Sequence, residues 1–189
     1  MPTVAVLQSY LWRHRHMGNF YTNVTLRTAE RQAVIEHMRA QGRSCFVSPT
    51  YYGFTTIYDR LCEEQDTRDL EALATDLSLR FHCAALAVLN HHDDVLWMGL
   101  AREGEWLTAY HSDQVLSGSA WQLAKEFRVV GLLPVLWSLM RWPFVLFEIW
   151  RHGALASVLG IPNVTVGFGY KYLSRGERPD KDAEHFESV

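Results

Sequence analysis

The sequence predicts an α+β protein: an antiparallel sheet with interleaved helices over residues 17–112, followed by a mainly helical part over residues 120–173. Three observations carry this expectation. Residues from Phe20 to Arg27 alternate with the two-residue period of a strand. Leu70, Leu73, Ala74, Leu77 and Phe81 fall on one stripe at helical spacing, with Arg68, Asp69, Glu71 and Asp76 turned away. The longest apolar stretch, Val129 to Trp150, comes late and is broken at Pro134, Arg141, Pro143 and Glu148.

Taken in order, the chain opens with residues 1–16, read as an N-terminal extension. They lack the basic start of a signal peptide. The strand from Phe20 alternates as if half-buried, with Phe20, Thr22, Val24 and Leu26 on one face and Tyr21, Asn23, Thr25 and Arg27 on the other. Thr28 can cap a helix carrying Val34, Ile35 and Met38, and Gly42 is placed to stop it. Ser44–Ser48 and Phe54–Asp59 read as two arms joined by a turn through Pro49 and Gly53. Asp66 or Thr67 then caps the second helix. Cys83 to Asn90 is a continuous apolar run suited to a strand covered on both faces, and Val95–Leu100 and Glu105–Tyr110 extend it as a meander. The order β-α-β-β-α-β resembles that of ferredoxin-like folds, which implies both helices on one face of an antiparallel sheet. That arrangement hosts many unrelated activities, so it implies nothing about function.

Residues 113–119 read as a linker, and residues 120–173 as helices and a late strand packed on the sheet. A helix starts at Ala120, and Pro143 can open another that runs to about Leu159 before Gly160 and Pro162. The alternation Val164, Val166, Phe168, Tyr170, Tyr172 predicts a strand over 163–173, with Gly167 and Gly169 marking a bulge. Residues 174–189 are charged and read as a polar tail.

Composition excludes several classes. With 48% hydrophobic and 21% charged residues among 189, the chain can bury a sizeable core and is expected to be ordered. A net charge of −3, with Lys and Arg scattered singly, argues against a nucleic-acid partner. Cys45, Cys62 and Cys83 form no CxxC pair and are odd in number, as expected of reduced, buried residues in a cytoplasmic protein. Seven Trp in a 13% aromatic content demand large buried interfaces, inside the fold or with a partner. The stretch Val129–Trp150 is too interrupted for the ~18 uncharged residues of a spanning helix. Membrane contact is therefore less favoured than a buried helical hairpin or a self-association surface, for which Trp137, Trp142 and Trp150 are the candidate interface residues.

No Walker loop, GxSxG elbow, HExxH or Rossmann glycine pattern is present, and no cofactor is implied. One geometric possibility remains. In the predicted sheet the third and fourth strands run in the same direction, so the loops after them open at the end where the first strand begins. Glu63, Glu64 and Asp66 would then meet His91, His92, Asp93 and Asp94, with His14 and His16 nearby. Imidazoles and carboxylates converging on one rim are the chemistry of a divalent-metal site with a spare general base. The plainer reading is a solvated turn beside a negatively charged helix start. The expected function is a non-catalytic, cytoplasmic, bacterial protein that binds another protein or a second copy of itself. The alternatives are a metal-dependent hydrolase at this rim, and a peripheral membrane protein held by residues 129–150.

Overall fold

A computed structural model describes residues 18–27, 31–114, 116–143, 145–179 and 187–189. The elements run β1 (Tyr21–Leu26), α1 (Arg31–Ala40), β2 (Cys45–Val47), β3 (Thr55–Asp59), α2 (Thr67–Phe81), β4 (Ala84–His91), β5 (Val95–Arg102), β6 (Glu105–His111), α3 (Ala120–Glu126), α4 (Leu133–Arg141), α5 (Glu148–Leu159), α6 (Tyr170–Ser174) and β7 (Glu187–Ser188). Single 3₁₀ turns occupy Leu61–Glu64, Val130–Leu132 and Asn163–Thr165. The sheet order is β6-β5-β4-β1-β3-β2-β7, and every neighbouring pair is antiparallel. The α+β class is therefore as expected.

Each helix boundary has a local cause. Asp66 caps α2 by accepting from the Arg68 N–H at 2.9 Å. Gly42, at φ +64°, ends α1, where the Arg43 N–H reaches back to the Met38 carbonyl at 3.1 Å. Ser119 caps α3 through the Gln122 N–H at 3.2 Å. Pro134 sits in the first turn of α4, where a missing N–H costs nothing.

Because successive strand residues point to opposite faces, β1 and β4 each serve two cores. On one face Val24, Leu26, Ala85, Ala87 and Leu89 pack with Val34, Ile35 and Met38 of α1 and Leu70, Leu73, Ala74 and Leu77 of α2. Each of these larger side chains contributes about 1.5–3 kcal/mol by leaving water. Gly99 on β5 belongs to this face, since a Cβ there would collide with the Trp106 and Trp97 rings, which stack at 5.8 Å between centroids. On the opposite face Tyr21, Leu86, Val88, Leu96, Met98 and Tyr110 pack with Leu123, Phe127, Leu136, Met140, Ile149, Leu155 and Leu159 of α3, α4 and α5. The sheet is thus the middle of three layers.

Several expectations are corrected. The alternation in β1 suggests a half-buried strand, yet all six residues are buried, because the C-terminal helices cover the polar face. The strand expected over 163–173 is instead a 3₁₀ turn and the short helix α6, joined through Gly167 at φ +78°. Leu173, Phe168 and Tyr170 lie over Tyr58 and Phe46, so this segment covers the sheet's remaining apolar surface and does not extend its edge. The helix expected from Pro143 begins at Glu148. Trp142, which precedes the proline, is extended at ψ 115° and ends α4. The expected polar tail contains a returning segment, since Val189 and Cys45 exchange backbone hydrogen bonds at 2.9 and 3.4 Å beside β7. The N-terminal extension with His14 and His16, and the Thr28 cap, lie outside the described residues.

Candidate functional site

The loops expected to meet do meet. At the end of the sheet where β1 begins, the Phe20 ring lies 4.9 Å from that of His91 and 3.9 Å from that of His92, centroid to centroid. Gln65 donates through Nε2 to the Asn90 carbonyl at 2.9 Å, and its Oε1 lies 2.5 Å from His91 Nδ1. Asn19 donates to Asp93 Oδ2 from its side-chain amide at 2.9 Å.

The groups that converge nevertheless go separate ways, some to partners of their own and others to solvent. Asp66 holds the start of α2 and the Arg68 guanidinium, and that contact keeps its carboxyl at about 2, below the usual carboxylate range. Glu63 turns inward, where burial pushes its carboxyl up to about 7 while the N–H groups of Tyr170 and Lys171 at the start of α6 pull the other way. Glu64, Asp94, His91 and His92 are exposed. Asp93 is buried, and its segment forms the β4–β5 turn with His92 at φ +57° and Asp93 at φ +63°, a geometry usually filled by Asn-Gly. Non-glycine residues hold it because Asp93 is tied on three sides. Its carboxylate takes Asn19, its N–H donates to Asn90 Oδ1 at 3.1 Å, and its carbonyl accepts the Glu148 N–H at 2.8 Å. Among the described residues no three His, Cys, Asp or Glu side chains are grouped to hold a metal ion.

Beneath this rim lies a polar network, of which the spacing of Glu148, Arg151 and His152 on a late helix predicts a local ion pair but not the burial. Glu148, Arg151 and His152 of α5 are all buried against the sheet. Arg151 pairs with Glu148 at 2.9 Å, donates to the Tyr110 hydroxyl at 2.6 Å, and satisfies the Met140 and Trp142 carbonyls at 3.3 and 2.7 Å. One guanidinium thus fastens α5 to β6 and to the end of α4. His152 Nδ1 lies 2.8 Å from the Tyr21 hydroxyl, and burial holds its imidazole down to about 3, so it is neutral. Asn23 donates to the Thr165 carbonyl at 2.8 Å, and Tyr58 to that of Val164 at 2.8 Å. The signal for this network is the spacing: Glu148, Arg151, His152, Leu155 and Leu159 form one inward stripe within the most apolar segment. Buried between α5 and the sheet, these groups fix the orientation of the helices.

The outer surface of the same layer is the other candidate. Leu136 and Met140 turn α4 towards the sheet, leaving Val135 and Trp137 outside, and Trp137 is 58% exposed. The link to α5 adds Trp142 at 52% and Leu146 at 79%, and Trp150 is 51% exposed with its ring edge-on to that of exposed Phe147 at 5.0 Å. All three tryptophans singled out from the sequence are therefore on the surface. Among the described residues no helix is long and apolar enough to cross a membrane. Comparison with known proteins finds no matching family model, no matching curated protein and no matching solved structure.

Proposed function

We propose that this chain is a non-catalytic binding module whose α4–α5 face docks on another protein surface, a second copy of this chain being the partner it fits. One observation carries the reading. The segment from Val130 to Trp150 is apolar on all sides, yet the sheet covers only one of them, leaving Val130, Leu132, Val135, Trp137, Trp142 and Trp150 in water. Its charged members do not relieve this, since Glu148 and Arg151 turn inward and Arg141 donates to the Ser117 and Gly118 carbonyls at 3.0 and 3.2 Å. An uncharged apolar face with exposed tryptophans is best met by a face of the same kind, which a two-fold pairing of identical chains supplies.

A reading as a metal-dependent hydrolase at the 63–66 and 91–94 rim finds less support, because Asp66 and Asp93 are each tied to a different neighbour and no three His, Cys, Asp or Glu side chains are grouped among the described residues. We read strands β4-β1-β3-β2, with α1 and α2 on one face, as a ferredoxin-like core that presents this layer. A cytoplasmic location belongs to the same reading and is supported by three buried free cysteines, with burial pushing the Cys45 thiol up to about 12 and that of Cys83 up to about 11.

Sedimentation velocity across a concentration series tests the proposal. A reversible dimer that Trp137→Asp and Trp150→Asp both abolish is expected. A strict monomer at all concentrations overturns self-association, and binding to neutral phosphatidylcholine vesicles would assign the face to a membrane surface instead.

A further inference from the structure

At the opposite end of the sheet from the 91–94 turn, a cleft of about 580 Å³ opens between the end of β1, the start of β4, the end of β5 and the end of α3. Among the described residues its lining holds four cations, Arg27, Arg102, Lys125 and Arg128, against two carboxylates, Glu103 and Glu126, an excess of two positive charges.

The carboxylates are unevenly spent. Arg102 takes Glu103 at 2.9 Å and reaches Glu126 at 3.6 Å, while Lys125 meets Glu126 only at 3.9 Å. Arg27 has no carboxylate partner among the described residues and donates to the Glu126 main-chain carbonyl at 2.9 Å, at the end of α3. Arg128 is held exposed in the left-handed region at φ +60° and forms no salt bridge among the described residues. The C-terminal ends of α2 and α3 both face this cleft, and each offsets about half a positive charge. Among the described residues about one charge stays uncompensated. Arg27 registers the crowding, since its guanidinium is pushed below its ordinary value first by burial and then by Arg128 and Arg102.

Three guanidiniums brought from β1, β5 and the turn after α3, with a lysine beside them, suit a compact multivalent oxyanion better than any single surface pair does. We propose that this cleft binds a phosphate monoester dianion, held by Arg27, Arg102, Lys125 and Arg128. The site is separate from the α4–α5 face and does not depend on the function assigned to it.

Phosphoserine and inorganic phosphate, titrated calorimetrically at constant chloride, supply the test. Single-site binding is expected, weakened about tenfold or more in Arg128→Gln and lost in the Lys125→Gln/Arg128→Gln pair. Both side chains are exposed, so the variants keep the fold, which thermal unfolding checks. Glu103→Gln frees Arg102 and is expected to tighten binding, an effect that general salt screening does not produce. Trp137→Asp is expected to leave binding unchanged. Cosedimentation with phosphatidylcholine vesicles, with and without phosphatidic acid, separates the sources. Capture by the phosphatidic acid vesicles alone, lost in the double variant, assigns the monoester to a lipid headgroup, and no capture assigns it to a soluble ligand. Absence of binding to all three phosphates, or equal binding by wild type and the double variant, overturns the proposal.

Discussion

The two layers that sandwich the sheet are built on different principles. The α1/α2 layer meets the sheet through apolar contact, with Leu70, Leu73, Leu77, Val34, Ile35 and Met38 over Val24, Leu26 and the alanines of β4, while its polar links, His37 and Gln41 to Asp76 at 2.8 and 2.9 Å, join the two helices outside that core. The α3–α5 layer buries a comparable set of leucines but adds Glu148, Arg151, His152, Tyr21 and Tyr110 at its centre. Apolar contact is non-directional and tolerates repacking, whereas a buried ion pair fixes one geometry and penalises loss of either partner. The first layer is therefore a fold-forming layer. The second is placed in a fixed register on it, which a helical pair presenting an outer face to a partner requires.

The largest effect that could break this contrast is expected at Arg151. Arg151→Ala leaves the buried Glu148 carboxylate without its counter-ion and the Met140 and Trp142 carbonyls without this donor. It should destabilise by about 3–5 kcal/mol in denaturant unfolding, while the paired replacement Glu148→Gln/Arg151→Met recovers much of the loss. In the other layer Leu77→Ala costs about 2–5 kcal/mol through its cavity, and no second polar substitution rescues it. Equal rescue in both layers would erase the distinction. A smaller loss, about 1–3 kcal/mol, is expected for Tyr21→Phe, which leaves His152 Nδ1 buried without a partner.

The pH dependence sharpens the comparison, because the polar groups act in opposite directions. Glu63 is raised by burial to about 7, above its unfolded value of ~4.3, so its contribution is full below ~4.3 and is lost as the pH rises towards 7. Glu148, raised by burial to about 7 against the opposing pull of Arg151, has the same sign. His152 is lowered by burial to about 3, below its unfolded ~6.5, so its contribution is full above ~6.5 and is lost as the pH falls towards 3. Between roughly pH 4.3 and 6.5 these slopes oppose each other. Glu63→Gln should therefore make stability rise more steeply with pH in that window than in wild type, as read by urea midpoints. An unchanged slope would remove Glu63 from the account.

Two smaller effects follow. Thr22 lies in the apolar layer, and its buried hydroxyl has no hydrogen-bond partner among the described residues, so Thr22→Val should stabilise by about 1 kcal/mol. Trp137→Asp should change monomer stability by less than about 0.5 kcal/mol, since the ring packs outward, while removing self-association. A large loss of monomer stability there would make Trp137 a core residue after all.

The α1/α2 layer was legible because its information is local. The stripe Leu70, Leu73, Ala74, Leu77 and Phe81 needs only the helical period, and the Gly42 stop and Asp66 cap need only backbone conformation and one side-chain acceptor. The continuous apolar run of β4 likewise announced a strand covered twice. The candidate rim was half legible. Strand direction brought the 60–66 and 90–94 loops together as expected, but where Glu63 and Asp93 point depended on α6 and α5, which arrive about a hundred and fifty residues along the chain. Alternation misled at 163–173 for a related reason: Val164 to Tyr172 have strand periodicity, but what lay open to them was the sheet face beside Tyr58.

By itself the sequence determined the α+β class, the helices of the first layer and the apolar character of the second, all of which follow from residue period and backbone preference. Only the tertiary structure decided that the polar side of β1 is buried, that Glu148, Arg151 and His152 point inward, and that Trp137, Trp142 and Trp150 point outward. The reason is physical. A segment that is apolar on all sides gives no preferred face of its own, so its orientation is chosen by the few polar groups that find partners, and those partners lie on distant strands.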